Sequence, residues 1–194
     1  RFGGVVRDID AESMQKIKTL VFDRLPRKAE EFDRLLSENE IFLARMKGIG
    51  YLSPEDTVAY SVTGPNLRAA GVPYDIRRAQ PYGIYDRFDF NLPVRHNSDL
   101  LDRYFLRVDE IVQSLRILQQ AVKQIPEGPI LAGKPAYITR VPAGESYGRV
   151  ECPKGELGFY VVSTGKPNPY RYHVRTPSFV NITSLEKMCV GTKI

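Results

Sequence analysis

The stretch SDLLDRYFLRVDEIVQSLRILQQAVKQI, Ser98 to Ile125, sets the fold class. Leu101, Phe105, Val108, Val112, Leu115, Leu118 and Val122 recur near heptad spacing, whereas a strand would alternate every second residue. The spacing predicts one long helix, capped by Ser98 and ended by IPEGPI. Arg103, Arg107, Glu110, Arg116 and Lys123 fall on its other faces. A repeat of only about three heptads reads as the core helix of a bundle rather than as a coiled-coil seam.

Upstream, the glycines of RFGG predict a turn, and Asp8 or Asp10 can cap a helix carrying Met14, Ile17, Val21 and Leu25 on one stripe. Pro26 opens a second helical pattern, roughly Arg27 to Ser37, with Phe32, Leu35 and Leu36 apolar. IFLARMKGIG predicts a short helix ended by Gly48 and Gly50. Together these form a helical hairpin with charged outer faces. In SPEDTVAYSV, Ser53 is the N-cap, Pro54 takes the first helical position, and Glu55 and Asp56 complement the helix dipole. That helix is expected to run to Gly64-Pro65. The next stretch, TGPNLRAAGVPYDIRRAQPYGIYDRFDFNLPV, is rich in Gly, Pro and Tyr, with strand-like alternation only near Tyr85 to Leu92. So long an aperiodic segment is functional or packed on a partner.

Downstream the pattern changes near residues 127–135, dividing a helical region, 1–128 with its long helix at 98–125, from a β region, 129–194. Ser146 to Cys152, Glu156 to Ser163 and Tyr170 to Thr176 read as strands joined by Pro153-Lys154-Gly155 and TGKPNP, an antiparallel meander. Arg171, His173 and Arg175 share one face of the last strand, which is therefore basic. TPSFVNITSLEKMCV is a Pro-led turn into a short helix with Leu185 and Met188 apolar. The expected class is α+β.

The 194 residues are 42% hydrophobic and 26% charged, which suits one substantial core or two small ones. The net charge of +5 is spread along the chain with no run of five like charges, so a nucleic-acid tail is not expected. No run approaches the roughly 18 apolar residues that span a bilayer. The chain starts at Arg1 rather than Met and has no signal-peptide pattern; a fragment of a longer protein is expected.

Few motifs carry chemistry by themselves. Gly48 and Gly50 form a Gly-x-Gly, but Ser53 stands where a dinucleotide fingerprint needs its third glycine, and no apolar strand precedes it. Walker and Gly-x-Ser-x-Gly patterns are absent. His96 and His173 lack ligands at metal spacing, and Cys152 and Cys189 form no Cys-x-x-Cys pair. Both cysteines read as packed, His96 as a loop residue and His173 as a strand surface residue. Arg68, Arg77 and Arg78 come from rigid loops beside Asp75 and are either ion-paired clamps or anion contacts, with the clamp favoured.

In order, RFGG, IFLARMKGIG, TGPNLRAAGVPYDIRRAQPY, YDRFDFNLPV, SDLLDRYFLRVDEIVQSLRILQQAVKQIPEGP, RVECPKGELGFYVVS and PYRYHVRTPSFVNITSL resemble the hydrogenase-like subunit family of NADH-quinone oxidoreductase, respiratory complex I. The resemblance covers essentially the whole chain. It implies a mainly helical portion of the [NiFe]-hydrogenase large-subunit-like fold with a small antiparallel β meander. ECPKG resembles the hydrogenase motif Glu-x-Pro-Arg-Gly, with Lys154 at the Arg position, while the nickel-binding cysteine pairs have no match. Between residues 128 and 148 the connector is shorter than is usual in the family.

The resemblance implies a subunit that helps form a quinone-reduction site and electron-transfer path, peripheral on the cytoplasmic face of the bacterial plasma membrane or its mitochondrial-matrix equivalent. Residues 64–96 and the 147–176 meander are expected to wall a quinone cavity, with Arg68, Lys154 and Arg175 as cationic contributors. No catalytic residue, metal or cofactor is expected on this chain. Quinone is the substrate of the complex, and NADH and the iron–sulfur clusters sit on other subunits. Partners are the iron–sulfur cluster subunit, the membrane arm and other complex I subunits. The alternatives are a structural interaction module of a hydrogenase-related membrane complex and a [NiFe]-hydrogenase large-subunit relative.

Overall fold

The computed structural model describes residues 3–134, 138 and 140–192. Arg1 and Phe2 of RFGG and part of the 128–148 connector lie outside the described residues. Asp10 caps α1 (Ala11–Thr19) by accepting from the Ser13 amide. A π-helical segment, Leu20–Arg24, leads without a break into α2 (Leu25–Ser37). Pro26 therefore starts no separate helix: the wider turn just before it absorbs the missing N–H and the ring's clash with the preceding turn. The hairpin forms instead between α2 and α3 (Glu40–Met46), which both pack on the long helix α7 (Leu100–Gln124). Phe42 meets the Tyr104 ring edge-on at 4.9 Å.

Ser53 caps α4 (Pro54–Ala59), as its sequence predicts, but the helix stops at Tyr60, short of Gly64. The cap of α7 is Asp99, whose carboxylate accepts from the Asp102 amide. Ser98 instead has a positive φ of 55° and donates its hydroxyl to the Leu52 carbonyl. The heptad stripe coincides only in part with the buried face of α7, sharing Leu115 with it. Leu106, Leu115 and Ile117 are buried together with Asp102 and Arg103, while Val112 and Leu118 are exposed. Arg103, expected on an outer face, is buried and donates to the Gly50 carbonyl. Helical periodicity limits the possible faces; which one is covered depends on the elements that pack there.

The alternation near Tyr85 to Leu92 makes no strand. A 3-10 turn (Tyr85–Arg87) is followed by extended chain in which Phe88 and Phe90 pack on Ile117. The amides of Asp89 and Asn91 donate to the side chains of Gln120 and Gln113 on α7. Helix glutamines satisfy the backbone that a neighbouring strand would otherwise satisfy.

β1 (Gly144–Cys152), β2 (Gly155–Ser163) and β3 (Arg171–Arg175) form the expected antiparallel meander in the order β1-β2-β3. Cys152 pairs with Gly155 across the Pro153-Lys154 turn. The C-terminal pattern splits into α8 (Pro177–Ile182) and α9 (Leu185–Met188). Met188 reaches the core cluster of Leu52, Val62 and Leu67, but Leu185 and Cys189 are exposed, so Cys189 is not the packed residue expected. The α+β class holds.

Candidate functional site

Short α5 (Pro65–Ala69) begins at Gly64, with Pro65 in its first turn, and carries Arg68 into the interior with about 1% of its surface exposed. Arg68 Nε donates to Glu110 Oε1 at 2.7 Å and Nη1 to the Tyr74 carbonyl at 3.0 Å. Both terminal nitrogens reach Glu151 Oε1 at 3.1 Å, and Nη1 lies 3.6 Å from Asp75 Oδ2. One guanidinium thus joins α5, α7, β1 and the turn before α6 (Ile76–Ala79). Its planar fork of donors is what allows one side chain to serve so many acceptors.

Asp75 caps α6 through the Arg77 amide and pairs with the Arg77 guanidinium, Nη2 to Oδ2, at 2.6 Å. Burial opposes ionisation of Asp75, but the hydrogen bonds and charge of Arg77 outweigh it and hold its pKa below 3.8. At Glu151 the balance is reversed: burial is the larger effect, Arg68 offsets only part of it, and the pKa is raised above 4.5. The two carboxylates therefore affect stability in opposite directions. Asp75 contributes stability above pH 3.8 that is lost as pH falls through its folded pKa. The contribution of Glu151 is present below pH 4.5 and lost as pH rises through its folded pKa. Glu151→Gln should therefore gain stability relative to the parent chain as pH rises from 4.5. Urea midpoints that stay parallel across that range would contradict this reading.

Beside this cluster lies a cleft of about 470 Å³ between α7 and the β1–β2 turn. Arg107, Glu110, Ile111 and Ser114 line one side at helical spacing; Glu151, Cys152, Pro153 and Lys154 line the other. Arg107 donates to the Arg103 carbonyl and to Asn66. The Lys154 ammonium has neither a hydrogen bond nor an ion pair among the described residues, so all of its donors are available to the cleft. The structure brings Arg68 and Lys154 to this one cleft and places Arg175 elsewhere. Arg175 donates to the carbonyls of Glu156 and Ser61, both at 2.7 Å, and ties β2 and β3 to the loop after α4. Arg77 and Arg78 are also engaged within the chain, Arg78 through the Phe90 carbonyl and ring. No group of three or more His, Cys, Asp or Glu among the described residues is placed to hold a metal.

Sequence reasoning missed Glu110 and Asn181. Glu110 reads as an ordinary surface position of α7, and Asn181 sits in a short segment with no periodic signal. Glu151 was legible only as the first residue of the ECPKG motif.

The sequence model of the family described as respiratory-chain NADH dehydrogenase, 49 Kd subunit, matches residues 1–140 and 136–194. The chain belongs to this family. A NADH-quinone oxidoreductase subunit of Roseiflexus sp. (strain RS-1) is 50% identical over 202 residues, covering 100% of this chain and 54% of the relative. The corresponding NADH-quinone oxidoreductase subunit of Dehalococcoides mccartyi is 50% identical over 194 residues, covering 100% of this chain and 52% of its own length. Among solved structures, a chain from the membrane-bound sulfane sulfur reductase, an archaeal respiratory membrane complex, superimposes with a TM-score of 0.92 at 39% identity. That match covers 99% of this chain and 53% of the other. This member of the 49 Kd family spans about half the length of these relatives. The two pieces of the family match overlap at residues 136–140, within the 128–148 connector. The match to the Dehalococcoides relative is no longer than this chain, so that relative has no insert there either.

Proposed function

We propose that this chain is part of the 49 Kd-type subunit of a membrane-associated NADH-quinone oxidoreductase and forms one wall of its quinone-reduction site. The observation that carries this reading is 50% identity, over the full chain, to proteins named as a NADH-quinone oxidoreductase subunit. The surface adds a physical argument. The chain exposes 13630 Å², against roughly 9,300 Å² expected for a compact monomer of its 22.0 kDa mass. Apolar side chains such as Phe179 and Val190 are among those exposed, as suits a piece covered within a larger assembly.

In this reading the fold is a portion of the [NiFe]-hydrogenase large-subunit-like architecture. The chain binds no redox centre. NADH and the iron–sulfur clusters belong to other subunits, and electrons reach the quinone from a cluster on a neighbour. No described helix is long and apolar enough to cross a membrane, and the proposed position is peripheral, on the cytoplasmic face beside the membrane arm. Arg68 and Arg175 hold the wall in shape, while Lys154 offers its ammonium to the oxygen on which negative charge develops as quinone is reduced.

Lys154→Ala in the assembled complex should lower quinone turnover on the order of 100-fold while leaving assembly intact. Equal loss of both would reduce the residue to a turn former. The likeness to the sulfane sulfur reductase favours a second reading, a related respiratory complex with a different acceptor. Comparing a soluble quinone analogue with polysulfide as acceptor, in the purified complex, decides between the two.

A further inference from the structure

We propose that Asn181 is the positioning residue for Lys154, an inference that rests on the proposed role of Lys154 at the quinone site. Asn181 lies on α8, buried, behind the β1–β2 turn. Its Oδ1 accepts from the Thr63 amide at 3.1 Å. Its Nδ2 donates to the Thr63 carbonyl at 3.2 Å and to the Lys154 carbonyl at 2.9 Å. One amide therefore stitches the backbone of residue 154 to the distant loop at Thr63 and to the helix that follows the sheet. The network fixes its orientation. Flipped, Nδ2 would oppose the Thr63 N–H, and Oδ1 would oppose two carbonyls.

The neighbouring contacts hold the strand just after the turn rather than residue 154. The Glu156 amide donates to Thr63 Oγ1 at 3.0 Å, and Arg175 holds the Glu156 carbonyl. Asn181 is the side chain in this set that binds the backbone of residue 154 itself. The Lys154 side chain, by contrast, has no partner among the described residues to fix it, so its placement over the cleft depends on where its backbone is held. Loss of the Asn181 amide lets the Pro153-Lys154-Gly155 turn shift, and a shift of about 1 Å at a reacting group can cost as much as 100-fold in rate.

The test is a double-mutant cycle in the intact complex, with quinone kcat and KM measured per assembled complex. Asn181→Ala should lower kcat at least about 10-fold with little change in KM, and the Asn181→Ala, Lys154→Ala pair should be no slower than Lys154→Ala alone. Should Asn181→Ala fail to assemble, Asn181→Ser takes its place in the cycle and is held to the same criteria. A structure of the assembled variant should show the 153–155 turn displaced from Thr63. Multiplicative losses in the double variant, or a turn still in place, overturn the positioning role while leaving that of Lys154 standing. Full turnover in Lys154→Ala overturns both.

Discussion

Arg68→Ala should cost roughly 3–5 kcal/mol of folding stability, the range for removing one partner of a buried ion pair. The physical reason is what stays behind: Asp75 and Glu151, both buried, and Glu110, largely buried, lose the guanidinium that bridges them. Arg77 still pairs with Asp75, but nothing else described reaches Glu151 Oε1. Against a total stability of about 5–15 kcal/mol for a domain, this loss is large enough to prevent accumulation of the chain. Arg68→Lys should recover only part of it, because an ammonium cannot reproduce a fork that meets Glu110, Glu151 and the Tyr74 carbonyl together. Denaturant midpoints of the three chains measure the effect. An Arg68→Ala chain within about 1 kcal/mol of the parent would mean that the cluster is not the clamp described.

The second large effect is expected where two backbones touch. A Cβ placed on Gly64 would overlap the Gly155 Cα and lie 2.6 Å from the Gly155 amide nitrogen. One placed on Gly155 would lie 2.5 Å from Thr63 Oγ1 and 2.8 Å from the Thr63 carbonyl carbon. Both residues also have positive φ, 73° and 127°. Neither clash can be relieved by turning a flexible side chain, because most of the atoms met are backbone. The strained conformation alone costs about 1–3 kcal/mol per residue, and separating the loops adds the loss of the hydrogen bonds at Thr63 and Lys154. Gly64→Ala and Gly155→Ala should each destabilise by more than about 3 kcal/mol. The double variant should cost less than the sum of the two, since the first already opens the junction. Additive losses in thermal unfolding would mean that the two glycines do not share one contact.

These contacts explain why the wall of the cleft is built as it is. The β1–β2 turn presents Lys154 on one side and is held from behind by Asn181, Arg175 and the paired glycines. Arg68 fixes the adjoining wall by joining α5, α7 and β1. Arg175 reads from the strand alternation as part of a basic face, and the alternation itself is correct. What it could not convey is that the loop after α4 comes within reach and supplies a carbonyl for the guanidinium. A side chain's partners come from wherever the chain folds back, and that information is not local.

The sequence by itself determined the elements whose causes are local. Ser53 before Pro54, the glycines after α3, the period of α7 and the alternation broken by Pro153-Lys154-Gly155 all specify structure within a few residues. The ECPKG motif and the order of the motif blocks also carried the family. Tertiary structure alone decided which face of α7 is covered, that Asp99 rather than Ser98 caps it, and that Phe88 to Asn91 lies along a helix instead of in a sheet. It also decided that residues 68, 75, 110 and 151 form one charged cluster. Periodicity and capping are short-range effects, whereas burial and ion pairing depend on which distant segments meet.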